Sequence, residues 1–574
     1  MQYKKLQLFF CFLVLSLVTR AQQAPENTNF ISPVNFPMYL SGNYGEIRSG
    51  HFHAGIDIKT QGVIGKEVVS VENGYISRIK ISANSYGKTL YITHPNGYTT
   101  VYGHLDHFTP NISKFIKSKQ YEQNEFEINY FPEVNQFKVS KGELLAYSGN
   151  TGGSDGPHLH FEIRETNSQI PVNPLLFHFQ IEDDIPPIFY SISFYPIKNN
   201  SFINYKNDTI SFRLKMKDGV YSTTDTNELL FNGECGIGVE IVDYLNNSRN
   251  KCGIYSLQLK INNQITYSHL INKISFNETS YVKSHIDYKQ KIESKKTIQK
   301  TFIEPNNKLS IYKSIINNGI YDYNKDSLYI IELIATDTYG NKSTTIINAK
   351  RGSLDFQEPP VIVPNNGIHM NWELENIFEN EDIKITIPRK SLYNSFYFNY
   401  YSSNPTNNSY SKIHHIHNEN TPIHKKYSIS LKIRNLPEKL YDKAFIALLE
   451  KDKSIKPIGG TIVNQYIVAE TKQFGNYTVL IDTIKPIVNP ILKQEKLLNS
   501  NKINFSISDD LSGIKSYNGY IDNKWALFEY DLKNDLLSYT IDEERIKKNK
   551  KHELELFVID NTGNITTYYT TFFW

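Results

Sequence analysis

The sequence predicts a mainly β protein, with an N-terminal antiparallel β-sheet domain followed by about three β-sandwich domains. Three observations carry that prediction. The chain has 40 Tyr and 32 Phe against 4 Met and 3 Trp, the aromatic bias of half-buried strands. Short β-branched runs recur between Gly, Asn and Pro turns. Three segments also open alike, Asp183-Asp-Ile-Pro-Pro-Ile188, Glu358-Pro-Pro-Val-Ile362 and Asp482-Thr-Ile-Lys-Pro-Ile487, which reads as a repeated domain start. A chain of 574 residues is too long for one core, so several domains are expected.

Taken in order, Met1-Gln-Tyr-Lys4-Lys5, the apolar run Leu6 to Val18 and Thr19-Arg20-Ala21 read as a signal peptide over residues 1–21. Cys11 lies inside the apolar run, so lipidation there is not expected. No other apolar stretch is long enough to span a bilayer, so after signal cleavage the expectation is an exported protein, periplasmic or secreted, without a membrane span.

Residues 25–180 form the first domain. Its strands are read at Val68-Val69-Ser-Val71, Gly74 to Ile81, Thr89 to Thr93 and Tyr98 to Tyr102. An insertion at 109–140 follows. Ile112, Phe115, Ile116 and Tyr121 sit near helical spacing behind Asn111, then Phe126, Ile128 and Tyr130 alternate as a strand. Its role is either to cover a sheet edge or to shape a groove.

Sandwiches are expected at 183–352, 357–480 and 482–574. The first and third also end alike, Ile334-Ala-Thr-Asp337-Thr-Tyr-Gly340-Asn341 matching Val558-Ile-Asp560-Asn-Thr-Gly563-Asn564, as diverged copies of one unit would. In the middle segment His414-His415-Ile-His417 has no carboxylate or cysteine at ligand spacing and reads as a loop with solvated histidines. After signal removal only Cys235 and Cys252 remain. In an exported chain they form a disulfide candidate, which would contribute about 3 kcal/mol.

A net charge of +3 with 21% charged residues and no dominant basic tract excludes a nucleic-acid binder. The chemistry is concentrated in four strings: His51-Phe-His53-Ala-Gly55-Ile-Asp57, Tyr102-Gly103-His104, Gly149-Asn-Thr-Gly-Gly153 and His158-Leu-His160. A catalytic zinc takes three nitrogen or oxygen ligands and keeps one position open. On extended chain His53 and Asp57 face one side while Gly55 lets the backbone pass close; His51 has the same parity and stays open as a ligand. His158 and His160 likewise share a strand face, one to bind a metal and the other to reach its water. There is no His-Glu-x-x-His helix, so a histidine must serve as base. His94 and His107 read as surface or turn residues.

Over residues 45–165 the order and spacing of these strings resembles the lysostaphin/LytM-type zinc endopeptidases, which cut peptide bonds of bacterial cell-wall peptidoglycan. The resemblance implies a LytM-type peptidase domain with one Zn2+ held by His53, Asp57 and His160, and with His104 and His158 as the catalytic pair. It does not decide which of the pair is the base; His158 is favoured because it neighbours a ligand. Tyr102, read as sharing a strand face with His104, and Arg48 are candidate substrate contacts. The implied function is an exported zinc metalloendopeptidase acting on peptidoglycan crosslinks. Its sandwiches, Ig-like as in exported Bacteroidota proteins, would position it on the wall or on another envelope protein. The alternative is a catalytically restrained wall-binding or regulatory protein that retains the LytM-type fold and zinc behind a groove closed by the insertion.

Overall fold

A computed structural model of the protein describes residues 28–224, 228–352, 367–405, 408–491 and 501–574. The expected signal peptide and the junction near residue 355 lie outside them. Among the described residues no helix is long and apolar enough to cross a membrane.

The first domain comprises β1 (Leu40–Gly42), β2 (Ile47–Arg48), β3 (His51–Phe52), β4 (Ile56–Lys59), β5 (Glu67–Val69), β6 (Gly74–Ile81), β7 (Lys88–Thr93) and β8 (Tyr98–Phe108). Helix α1 (Pro110–Gln123) comes next, then β9 (Ile128–Tyr130), β10 (Lys138–Val139), β11 (Leu144–Ser148), β12 (His158–Glu165) and β13 (Pro171–Val172). The main sheet runs β1-β4-β12-β8-β7-β6-β10. One face buries Ile58, Ile79, Leu90, Tyr102, Leu159, Phe161 and Ile163 in a common core. The opposite face of β4, β8 and β12 carries the histidine strings.

The insertion folds as α1 and β9. Pro110 starts the helix, where its missing N–H costs nothing, and Ile112 and Ile116 anchor it in the core. Strands β9 and β10 hydrogen-bond to β6, two strands beyond β8. The insertion therefore covers the sheet edge remote from β4 and β12, rather than closing over the histidines.

The thirteen strands of the second unit join in one hydrogen-bonded sheet. The reason is the strand Ile210–Lys217, which pairs with Ile188–Pro196 through its first half and with Val220–Thr223 through its second, so the sheet wraps continuously around its core. Residues 368–482 hold two five-stranded sheets, and the final unit holds two four-stranded sheets around Phe505, Phe528, Leu537 and Leu556. The matching ends of the second and last units form the same turn. Asp337 accepts from Asn341 N and Nδ2, and Asp560 accepts from Asn564 N and Nδ2. Each asparagine also donates to the carbonyl of the Asp that opens its unit, Asp183 or Asp482.

Two expectations are corrected. Cys235 and Cys252 are free, buried thiols in different cores. Cys252 is bridged to Asp243, eight residues beyond Cys235 along the strand Glu234–Val242, a separation of about 26 Å at the usual rise. A disulfide needs Cα atoms within about 7 Å. His414 is fully buried on the strand Ile413–Ile416 and pairs with Tyr400, while His415 bonds Asn476 and His417 bonds Thr421. The first two belong to a sheet and His417 follows it, stacked on Phe396, so the tract is not a solvated loop.

Candidate metal centre and active site

Register brings the strings together. Asp57 on β4 pairs with His160 on β12, which pairs on its other side with Gly103 on β8. A Cβ on Gly55 would lie 2.3 Å from the Phe161 carbonyl oxygen, so the close approach of the loop before β4 to β12 requires glycine.

Three donor atoms converge. His53 Nε2 lies 3.1 Å from His160 Nδ1 and 3.1 Å from Asp57 Oδ1, and His160 Nδ1 lies 2.8 Å from Asp57 Oδ1. All three residues are buried. Each imidazole has its other nitrogen committed. His53 Nδ1–H donates to the Asn43 carbonyl at 2.8 Å, and His160 Nε2–H donates to Glu162 Oε1 at 2.9 Å. Both lone pairs therefore point inward, the tautomers a metal requires. A tetrahedral zinc spaces its ligand atoms about 3.3 Å apart at ordinary bond lengths, close to the spacing here.

Electrostatics agree with a cation-binding pocket. Although burial opposes ionisation, the three surrounding imidazoles hold the Asp57 carboxyl well below the usual range. Burial pushes His53 down. Against its burial, His160 is pushed up to about 9 by Asp57 and Glu162, so without a metal it holds the proton that neutralises the cluster. Glu162 is itself fully buried and pulled down to about 2 by Arg164 and His160, again against desolvation. Arg164 Nε donates to Glu162 Oε2 at 2.6 Å and closes the chain His160-Glu162-Arg164.

Two further histidines flank the donors. His158 Nδ1–H donates to the Gly156 carbonyl at 2.8 Å. Its Nε2 is buried without a partner, 3.4 Å from Asp57 Oδ1. That orphaned acceptor faces the pocket. The His104 ring centroid lies 4.7 Å from that of His158, and His104 Nδ1–H donates to the Thr151 carbonyl at 2.8 Å. Burial, with His160 and His158 beside it, pushes His104 down to about 3 and keeps it neutral. The Gly149-Asn-Thr-Gly-Gly153 turn is fixed by Thr151 Oγ1, which donates to the Leu105 carbonyl and accepts from Lys88 N.

The expected substrate contacts fall elsewhere. Strict alternation would place Tyr102 and His104 on one face of β8. His104 instead adopts φ 57° at a bulge, where the pairing with β7 slips between Lys88 and Leu90. This left-handed residue turns the imidazole toward the metal ligands and leaves Tyr102 in the core. There its hydroxyl accepts from Val71 N and meets Thr100 Oγ1, so Tyr102 cannot touch substrate. Arg48 donates to Asp57 Oδ2 at 2.5 Å and lies 3.5 Å from Glu46, which makes it a positioning residue for a ligand. His51 is exposed and turned away. His94 opens the turn between β7 and β8 as expected, but its ring is buried between the Asn73 carbonyl and Thr100 Oγ1.

Three residues escaped the sequence reading. Glu162 was legible as the next same-face position after His160, and Arg164 as the one after that. Tyr86, whose ring stacks on His160 at 4.7 Å, had no signal because a distant loop delivers it.

A buried two-histidine, one-aspartate donor set with paired histidines beside it could hold a metal ion in the way the centres of metal-dependent hydrolases do. Residues 51–121 and 133–174 match the model of Peptidase family M23, and residues 368–482 match the Zu5-like domain. The unmatched residues 122–132 fall inside the insertion. Residues 51–174 are therefore similar to Peptidase family M23. The DD-carboxypeptidase/endopeptidase Mpg of Neisseria meningitidis serogroup B is 33% identical over 148 residues, covering 26% of each chain. An uncharacterized metalloprotease of Haemophilus influenzae is 31% identical over 123 residues, 21% of this chain and 20% of that one. The catalytic domain of lysostaphin from Staphylococcus simulans is 23% identical and covers 24% of this chain and 91% of its own, with a TM-score of 0.19. The chain spans about a quarter or less of the length of these curated relatives.

Proposed function

We propose that this chain is an exported zinc metalloendopeptidase that hydrolyses peptide crosslinks of peptidoglycan, with one Zn2+ held by His53, Asp57 and His160. The observation that carries the reading is the orphaned His158 Nε2 beside three converging donors. Export, the wall substrate and any envelope partner of the C-terminal sheets are part of the proposal; support for the substrate is the resemblance to a carboxypeptidase/endopeptidase.

When bound, zinc supplies a Lewis acid that acidifies water and polarises a carbonyl. His158 acts as general base. Its Nδ1–H is fixed on Gly156, so Nε2 is free to take the proton of the attacking water and later return it to the leaving amine, a contribution of about a hundredfold or more. His104 is held in the same tautomer by Thr151, so its Nε2 also accepts and orients the water. It can donate to an oxyanion only after gaining a proton, which its burial disfavours. Glu162 and Arg48 orient the ligands.

The test is digestion of purified sacculi followed by mass analysis of new peptide ends, with His158→Ala as comparison. The variant should keep its zinc and lose cleavage. Retained turnover would remove His158 as base.

One observation favours a second, restrained reading. Lys533 of the last unit donates to the carbonyls of Asn150 and Ser154 on the turn before His158, and Glu529 pairs with Lys88. Restraint, if it operates, would come from the C-terminal sheets and not from the insertion. Wild-type chain that binds zinc but releases no peptide ends would establish it.

A further inference from the structure

A second cluster of metal-ligating side chains lies outside the peptidase centre. Asp183 opens the second unit, Asp243 follows the strand Glu234–Val242 and Asp337 follows the strand Leu328–Thr336. One carboxylate oxygen from each lies within 4.8 Å of the others. Asp243 and Asp337 are each only 2% exposed.

Their hydrogen bonds do not account for their oxygens. Asp337 Oδ1 accepts from Tyr339 N and Asn341 N, its Oδ2 accepts from Asn341 Nδ2, and Asp183 Oδ1 accepts from Ile185 N. Asp183 Oδ2 and Asp243 Oδ1 are buried with no partner, as is the neighbouring Tyr339 hydroxyl. A buried carboxylate oxygen left unpaired is costly. The other charges these groups feel are acidic: burial and the adjacent carboxylates push Asp183 up to about 7 and Asp243 up to about 8.

The last unit provides an internal comparison. It too brings three aspartates together, Asp482, Asp509 and Asp560, but these are bonded by Ser512, Thr562 and Asn564 together with backbone N–H groups, and none of their oxygens is buried without a partner. One aspartate trio is therefore left with two unpartnered buried oxygens and the other with none.

We propose that Asp183, Asp243 and Asp337 bind one divalent cation of the calcium class. The donors are all hard oxygens, with no nitrogen or sulfur, which selects Ca2+ over zinc. The site also has a mechanical position. Asp243 exchanges both backbone hydrogen bonds with Cys252; the next residue, Gly253, exchanges two with the Asn43 side chain; and the Asn43 carbonyl accepts from His53 Nδ1. In the same loop Ser248 donates to the Leu40 carbonyl of β1 and accepts from Lys59 of β4. A cation here clamps the 243–253 loop that seats the peptidase domain on the sheet after it.

The test uses the zinc-loaded full chain in calcium-free buffer, with Ca2+ titrated calorimetrically and Tb3+ luminescence sensitised by Tyr339 as an independent readout. One saturable site is expected, with a melting temperature raised by about 5 °C at saturation. In Asp243→Asn the affinity should fall at least about a hundredfold and the thermal shift should vanish, while zinc content and circular dichroism are unchanged. Asp183→Asn, at the half-buried ligand, is the second variant if Asp243→Asn misfolds. No binding up to about 10 mM Ca2+, or binding that survives these substitutions or is lost instead in Asp509→Asn, would overturn the assignment. None of these readouts depends on peptidase activity.

Discussion

The imidazole of His160 is held between two carboxylates: its Nδ1 lies 2.8 Å from Asp57 and its Nε2–H donates to Glu162 at 2.9 Å. Glu162 is fully buried, and Arg164 takes its other oxygen. A metal at Nδ1 would thus rest on a ligand whose ring orientation and basicity are set from behind.

Glu162→Gln removes that charge while keeping the shape. Zinc affinity should fall about 10- to 100-fold, measured by competition with a chromophoric chelator. Stability should also drop by about 3 kcal/mol, since Arg164 is left without its buried partner. Unchanged affinity would show that the His160-Glu162 bond does not support the metal.

The pH dependence follows from His160. In the metal-free chain its folded pKa of about 9 lies above the ordinary 6.5, so the stability it contributes is full below pH 6.5 and lost as pH rises through 9. Zinc must displace that proton. Binding near pH 7.5 should release about one proton, visible as a buffer-dependent calorimetric enthalpy, and apparent affinity should rise about tenfold per pH unit toward 9.

Tyr102→Phe separates core from substrate roles. The change leaves Val71 N without its acceptor and should destabilise the domain by about 1–3 kcal/mol in denaturant unfolding. kcat/KM should stay within about twofold of wild type at a temperature where both are folded. A large loss of kcat/KM would return Tyr102 to the substrate.

Lys533→Ala tests the seat of the last unit on the turn before His158. Hydrogen exchange of residues 150–154 should accelerate, while turnover on sacculi stays within about twofold. A tenfold rise in turnover would identify this contact as the restraint.

Much of the first domain could be read without the structure, because strand alternation and Gly positions are local. His53, Asp57, His158 and His160 could be grouped by parity on extended chain, and register then aligned Asp57 with His160. Parity failed at His104, where one left-handed residue at a bulge reverses the face. It failed for Arg48 and Tyr86 because neither spacing nor residue type reveals which loop crosses over a site. The cysteine pair was misread for a related reason: nearness in sequence says little about distance when a nine-residue strand runs between the two.

The sequence alone determined the β class, the first and last copies of a repeated unit and the residues of the candidate metal centre, since periodicity, turn chemistry and donor types are written locally. Only the tertiary structure decided that the insertion covers a far sheet edge, that Glu162 and Arg48 hold the ligands, that the thiols stay apart and that one aspartate trio is left open. Those outcomes depend on long-range register and on which oxygens burial leaves unpaired, quantities that no single stretch of chain contains.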